Sequence, residues 1–177
     1  MRTRIASITK PTLYATCEDF CRIFTEDMKS LYLLSLLLTG ESQNAEKCVV
    51  AALDDCIAGD LVFKDQARSR ARRSIINNAI RLLSPKPILG DQTCETPTAS
   101  LVNRHVTLEV RAQMAVFLDL PAFNRFAFVL SAFEAYSDRE CGLLLDCTRE
   151  TLIRARTQAL RELARPGHYE NHHNCEV

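Results

Sequence analysis

The stretch from Leu120 to Leu163, LPAFNRFAFVLSAFEAYSDRECGLLLDCTRETLIRARTQALREL, allows few folds. Its spacing predicts three short helices, the last two set as a helix-turn-helix. Pro121 can open the first, because proline at the first helical position loses no hydrogen bond. Phe123, Phe126, Ala127, Leu130 and Phe133 then recur at helical spacing and describe a buried face. Ser137 stands at an N-cap position before Asp138 and Glu140, whose charges suit the positive end of a helix dipole. Cys141, Leu144 and Leu145 give the second helix its apolar side, the break falls at Asp146-Cys147, and Thr148 can cap the third. In that last helix, about 149–164, Leu152, Ala155, Ala159 and Leu163 form the inward stripe. Arg149, Arg154, Arg156, Thr157 and Arg161 spread over the rest. A short helix, a tight turn and an arginine-bearing helix can place one helix in a DNA major groove. A plain three-helix core with a solvated basic face has the same periodicity.

Charge narrows the choice of surface. The net charge is +0, which argues against coating nucleic acid through bulk charge, but the charges are segregated. Residues 61–90 carry seven basic side chains and one acidic, while residues 1–60 and 91–147 are acidic overall. Local charge decides where a polyanion touches. A helix expected over about 62–83 buries Phe63, Ala67, Ala71, Ile75, Ala79 and Leu82. Lys64, Arg68, Arg70, Arg72, Arg73, Asn77 and Arg81 cover much of its remaining surface, with Asp65 the only acidic residue. Like charges that close call for an external anion, and phosphate is the economical one. A merely basic surface or an acidic protein partner are the alternatives.

Before this helix, apolar residues recur from about Tyr14 to Leu38, with Thr39-Gly40 as the C-cap, and a second helix runs from about Ser42 to Ala58. Residues 84–107 hold three prolines and a Ser/Thr cluster that break periodicity. The chain therefore reads as all-α in two small units: an N-terminal helical domain at 1–83, a linker at 84–107, a C-terminal domain at 108–164 and a tail at 165–177. A helix over about 108–118 opens the second unit. Hydrophobic content of 47% and charged content of 25% are globular values.

Eight cysteines occur without a C-x-x-C pair, and most fall on apolar helical faces, where a free thiol packs as a small hydrophobe. His168, His172, His173 and Cys175 are soft-metal ligand types, but they follow Pro166-Gly167 at a terminus without a closed four-ligand spacing. A solvated tail is the expectation, with no metal and no cofactor. No secretory signal or membrane-spanning run is legible, so the cytoplasm is the expected setting. Gly-rich phosphate loops, H-E-x-x-H and nucleophile elbows are missing, which points away from an enzyme.

Two sets of residues carry a resemblance. Leu120-Pro121, Arg125, Phe128-Val129-Leu130, Tyr136-Ser137, Glu140, Thr148, Thr151, Ala159 and Leu163 resemble region 4 of the sigma-70 family of RNA polymerase sigma factors, in the extracytoplasmic-function style. Leu38-Thr39-Gly40, Ala45-Glu46, Phe63, Ala71-Arg72 and Arg81 are similar to region 2 of the same family. The resemblance implies a non-enzymatic transcription initiation factor whose partners are core RNA polymerase and promoter DNA, with an anti-sigma factor as a further candidate. It turns Arg68, Arg72, Arg73 and Asn77 toward the −10 region, and Arg149, Glu150, Arg154 and Thr157 toward base edges of the −35 element. The sequence departs from the family at Gly142 and Asp146, where alanine and glycine are usual. It also lacks tryptophan, which the family carries near Gln66, and has Arg73 and Asn77 where asparagine and aspartate are usual. Strand opening relies on stacking of flipped bases, so a diverged protein that binds polymerase without opening DNA is the second reading. A stand-alone helix-turn-helix regulator is the third.

Overall fold

Thr16 begins the first helix, because its hydroxyl accepts the Asp19 N–H while the Asp19 carboxylate accepts the Thr16 N–H, a reciprocal capping box. The computed structural model describes residues 13–87 and 114–164. They are mostly helical and, among the described residues, hold no strand; Tyr14 and Phe63 form one isolated bridge. In chain order the helices are α1 (Cys17–Glu26), α2 (Met28–Thr39), α3 (Ser42–Ala58), α4 (Ala67–Leu83), α5 (Ala122–Phe128), α6 (Asp138–Leu145) and α7 (Arg149–Leu163). Helical residues 114–118 precede α5, and a π-turn, Val129–Phe133, extends it.

The expected single helix over 14–38 is broken. Its apolar stripe runs on from Phe24 to Leu31, but Asp27 occupies the inward step between them. Asp27 leaves the helical path (φ −98°, ψ 10°), which lets its carboxylate accept Arg68 at the surface rather than enter the core. Gly40 ends α2 at φ 77°, a conformation open to glycine at no steric cost. The helix expected over 62–83 begins later, at Ala67, after a 3-10 turn at Lys64–Gln66. Phe63 stacks on Tyr14 at 5.0 Å and is 46% exposed, and Leu82 is equally exposed, so neither lies in the inward stripe. Ala67, Ala71, Ile75 and Ala79 do, and the three alanines let α4 come close against Ala45, Cys48, Ala52 and Cys56 of α3.

In the second half, Phe123, Phe126, Ala127 and Leu130 are buried as expected, but Phe133 is exposed. The π-turn inserts a residue and rotates Phe133 out of the stripe, where it meets Phe117 and Phe128 edge-on. Leu152, Ala155 and Ala159 of α7 pack inward, and Leu163 is half-buried. Buried side chains of both halves belong to one hydrophobic cluster, and α2 touches α5. Most of the expected linker, the start of the 108–118 helix and the whole tail, with Cys94, His168, His172, His173 and Cys175, lie outside the described residues.

At that contact lies Arg125, 6% exposed. Its Nη1 donates to the carbonyls of Leu118 at 2.7 Å and Leu120 at 2.9 Å, and its Nε donates to Leu38 O, at the end of α2, at 3.2 Å. The guanidinium lies so close over Gly40 that a Cβ there would stand 2.8 Å from Nη2. No carboxylate pairs with it among the described residues, and burial pulls its pKa down to about 10. Carbonyl oxygens at two chain segments therefore carry the charge, the helix-terminal one aided by the negative end of the α2 dipole.

Candidate nucleic-acid interface

The α6–α7 pair is set by local chemistry. Ser137 accepts the Glu140 N–H, and Glu140 Oε2 accepts the Ser137 hydroxyl at 2.7 Å and the Ser137 N–H at 2.9 Å, which hold the Glu140 pKa below its usual range. Asp146 ends α6 in the left-handed region at φ 48°, where the resembled family uses glycine, and its N–H reaches Gly142 O. Aspartate tolerates that conformation better than most side chains. Thr148 then caps α7 by accepting the Thr151 N–H at 3.2 Å. These interactions fix the two helices across a three-residue turn.

All four residues expected to read bases fall on the exposed side of α7. Arg149 Nε donates to Asp138 Oδ2 at 3.0 Å while remaining 76% exposed, and Arg154 Nη2 donates to Glu150 Oε1 at 3.0 Å, one turn away. Thr157 returns its hydroxyl to the Ile153 carbonyl at 2.8 Å. Arg156, half-buried, donates to the other Asp138 oxygen at 2.8 Å. Asp138, held below the usual carboxylate range by Arg149 and then Arg156, thus ties the start of α6 to α7. An open groove of about 1100 Å³ runs beside the turn, lined by Phe123, Leu143, Thr148, Arg149 and Arg154. Asn124 lines it too, and its buried Nδ2 has no hydrogen-bond partner among the described residues.

The basic face of α4 is a different environment from the one its charge count suggests. Arg68 pairs with Asp27 and, at 2.8 Å, with Glu26. Arg72 grips Glu134 with both Nε, at 2.9 Å, and Nη2, and gives Nη1 to Ser30 Oγ at 2.9 Å. Arg81 pairs with Asp55, whose carboxylate also accepts Asn78. The need for an external anion is therefore overturned for these three residues. Their counter-charges come from α1, the α1–α2 junction, α3 and the π-turn exit, 26 or more positions away in sequence, where a count along one helix cannot see them. Arg73 stays exposed and its field lowers the Glu140 pKa; Asn77 is half-buried. Arg68 and Arg72 thus form one paired cluster, and α7 carries a second group.

Glu134 was not among the expected site residues, although its side chain is 6% exposed. Its only signal was an acidic residue following a run of apolar ones. Among the described residues no three His, Cys, Asp or Glu side chains gather as a metal site, and no helix is long and apolar enough to cross a membrane. No family model, curated protein or solved structure matches this chain.

Proposed function

We propose that this chain is a sigma-like transcription initiation factor that binds core RNA polymerase and directs it to promoter DNA. The observation that carries this reading is the capped α6–turn–α7 unit, with Leu152, Ala155 and Ala159 inward and Arg149, Glu150, Arg154 and Thr157 outward. A rigid helix with arginines on its free side is what major-groove reading needs, since phosphate contacts position the protein and a few side chains specify bases. The −10 side falls to the α4 face, where Arg73 and Asn77 are not held in the ion pairs that occupy Arg68 and Arg72. No catalytic role is assigned to any residue.

One observation favours a second reading, polymerase binding without promoter opening. Arg68 and Arg72 are paired within the chain, and the aromatic pair near α4, Tyr14 and Phe63, is stacked on itself rather than offered to a base. Size-exclusion chromatography with core polymerase, followed by transcription on a genomic promoter pool, separates the two. Co-elution with specific transcripts supports the first reading, and co-elution without transcripts supports the second. Absence of co-elution refutes both and leaves a stand-alone helix-turn-helix regulator.

A further inference from the structure

Between the start of α4 and the residues joining the π-turn to α6 lies a cleft of about 480 Å³, a volume in the range of small-ligand sites. Gln66, Ser69, Arg70 and Arg73 line one side, and Tyr136 and Glu140 the other. The α4 residues share one face, because they follow each other at three- and four-residue steps. Glu134 also lines the cleft, but its carboxylate is committed to Arg72, and Glu140 is committed to the Ser137 cap. The side chains of Arg70 and Arg73, by contrast, make no hydrogen bond or ion pair among the described residues. The Arg70 guanidinium rests over Gly59, where a Cβ would stand 3.0 Å from Nη2, and Arg73 is exposed. The wall opposite turns at Ala135, a non-glycine residue at φ 53°. Such backbone is kept only where its surroundings dictate it.

The geometry points to a binding site for a compact diphosphate-bearing ligand, a nucleoside diphosphate by size, with Arg70, Arg73 and the Ser69 hydroxyl on the phosphates and Tyr136 beside the nucleoside. Arg70 and Arg73 stand one helical turn apart on α4 and both line the cleft, so two planar forks of donors are within side-chain reach of adjacent phosphoryl groups. Glu134 is neutralised by Arg72, and the charge that Glu140 keeps under its Ser137 hydrogen bonds is offset in part by Arg73, so the two free arginines outweigh the one remaining carboxylate. A ligand seated here touches both halves of the chain, so it stabilises their contact by mass action.

The inference does not depend on DNA binding, and the test keeps the two apart. Full-length protein is titrated calorimetrically with ADP and with inorganic pyrophosphate, and separately with a 20-base-pair duplex. Saturable binding of ADP or pyrophosphate is expected, weakening at least tenfold in the Arg70→Ala/Arg73→Ala double variant. Ser69→Glu, a change at an exposed helical position, places a carboxylate among the phosphate donors and should abolish binding while circular dichroism stays helical. ADP binding more tightly than pyrophosphate places the nucleoside against Tyr136; equal binding leaves the diphosphate as the recognised group. No saturable binding by either probe at millimolar concentration, or binding that survives both variants, overturns the site. Loss of duplex binding alone removes the proposed function and leaves this site standing.

Discussion

Arg125→Ala is the perturbation whose consequence the structure fixes most closely. Truncation strands the carbonyls of Leu118 and Leu120 and uncaps Leu38 at the end of α2. Hydrogen bonds to a charged group contribute about 1.5–3 kcal/mol each, and the relief of an unpaired buried cation returns part of that sum. A net loss of about 3 kcal/mol is expected. With a urea m-value of about 2 kcal/mol/M for a chain of this size, the midpoint should fall by about 1.5 M. Gly40 offers an internal check. Gly40→Ala alone must bear both the left-handed backbone, about 1–2 kcal/mol, and the collision with Nη2 that the 2.8 Å approach implies. In the Arg125→Ala background the collision disappears and only the backbone cost remains. The double-mutant cycle should therefore show coupling of about 1 kcal/mol or more. A midpoint shift below about 0.5 M for Arg125→Ala, or additive effects in the cycle, would refute the clasp.

Asp19, whose pKa the Thr16 N–H and the Lys64 ammonium lower from 3.8 to about 2, binds fewer protons folded than unfolded between those values, so its stabilisation is complete above about pH 4 and fades toward pH 2. Melting temperatures of the wild type and Asp19→Asn should differ at neutral pH and converge near pH 2; a difference that persists there contradicts the assignment. Ala135→Gly relieves a left-handed backbone and should stabilise the chain by up to about 1 kcal/mol in urea titration, whereas destabilisation would show that the methyl group packs. Burial raises the Cys141 thiol to about 11, leaving about a thousandth ionised at pH 8, so iodoacetamide should label exposed Cys21 well before Cys141, as peptide mass spectrometry would read.

Local signals were legible and tertiary ones were not. Ser137, Thr148 and Gly40 are caps because of atoms within four positions of themselves, and each takes its expected place. The alanine stripe of α4 was equally readable, since period 3.6 needs only the helix itself. The break at Asp27 was hidden because the apolar period continues across it; only Arg68, 41 positions later, gives that carboxylate a reason to stay outside. Phe133 misled for a related reason: a π-turn changes the period that the reading assumes. Leu38-Thr39-Gly40 and Leu120-Pro121 with Arg125 stood out as separate motifs, yet one guanidinium joins them. Sequence spacing carries no distance between motifs 87 positions apart.

Arg72 ties stability to the proposed function through a single guanidinium. Its fork is spent on Glu134, so it cannot also hold a phosphate in bidentate fashion. Contact between this residue and DNA requires that the pair separate, and the cost is subtracted from affinity. A pair whose side chains are 36% and 6% exposed lies between surface and buried ion pairs, so about 1–2 kcal/mol is a reasonable cost. Since 1.4 kcal/mol is tenfold in binding, release should strengthen a duplex contact by about that factor at low salt. Glu134→Gln tests this directly. It keeps the shape, removes the charge and leaves Arg72 available. Folding stability should fall while duplex affinity rises, with a steeper dependence on salt concentration because one more cation meets phosphate. A variant that lost both stability and affinity would show that Arg72 serves only the packing of the two halves. Opposite movement in the two assays is the signature of one cation shared between an internal carboxylate and an external phosphate.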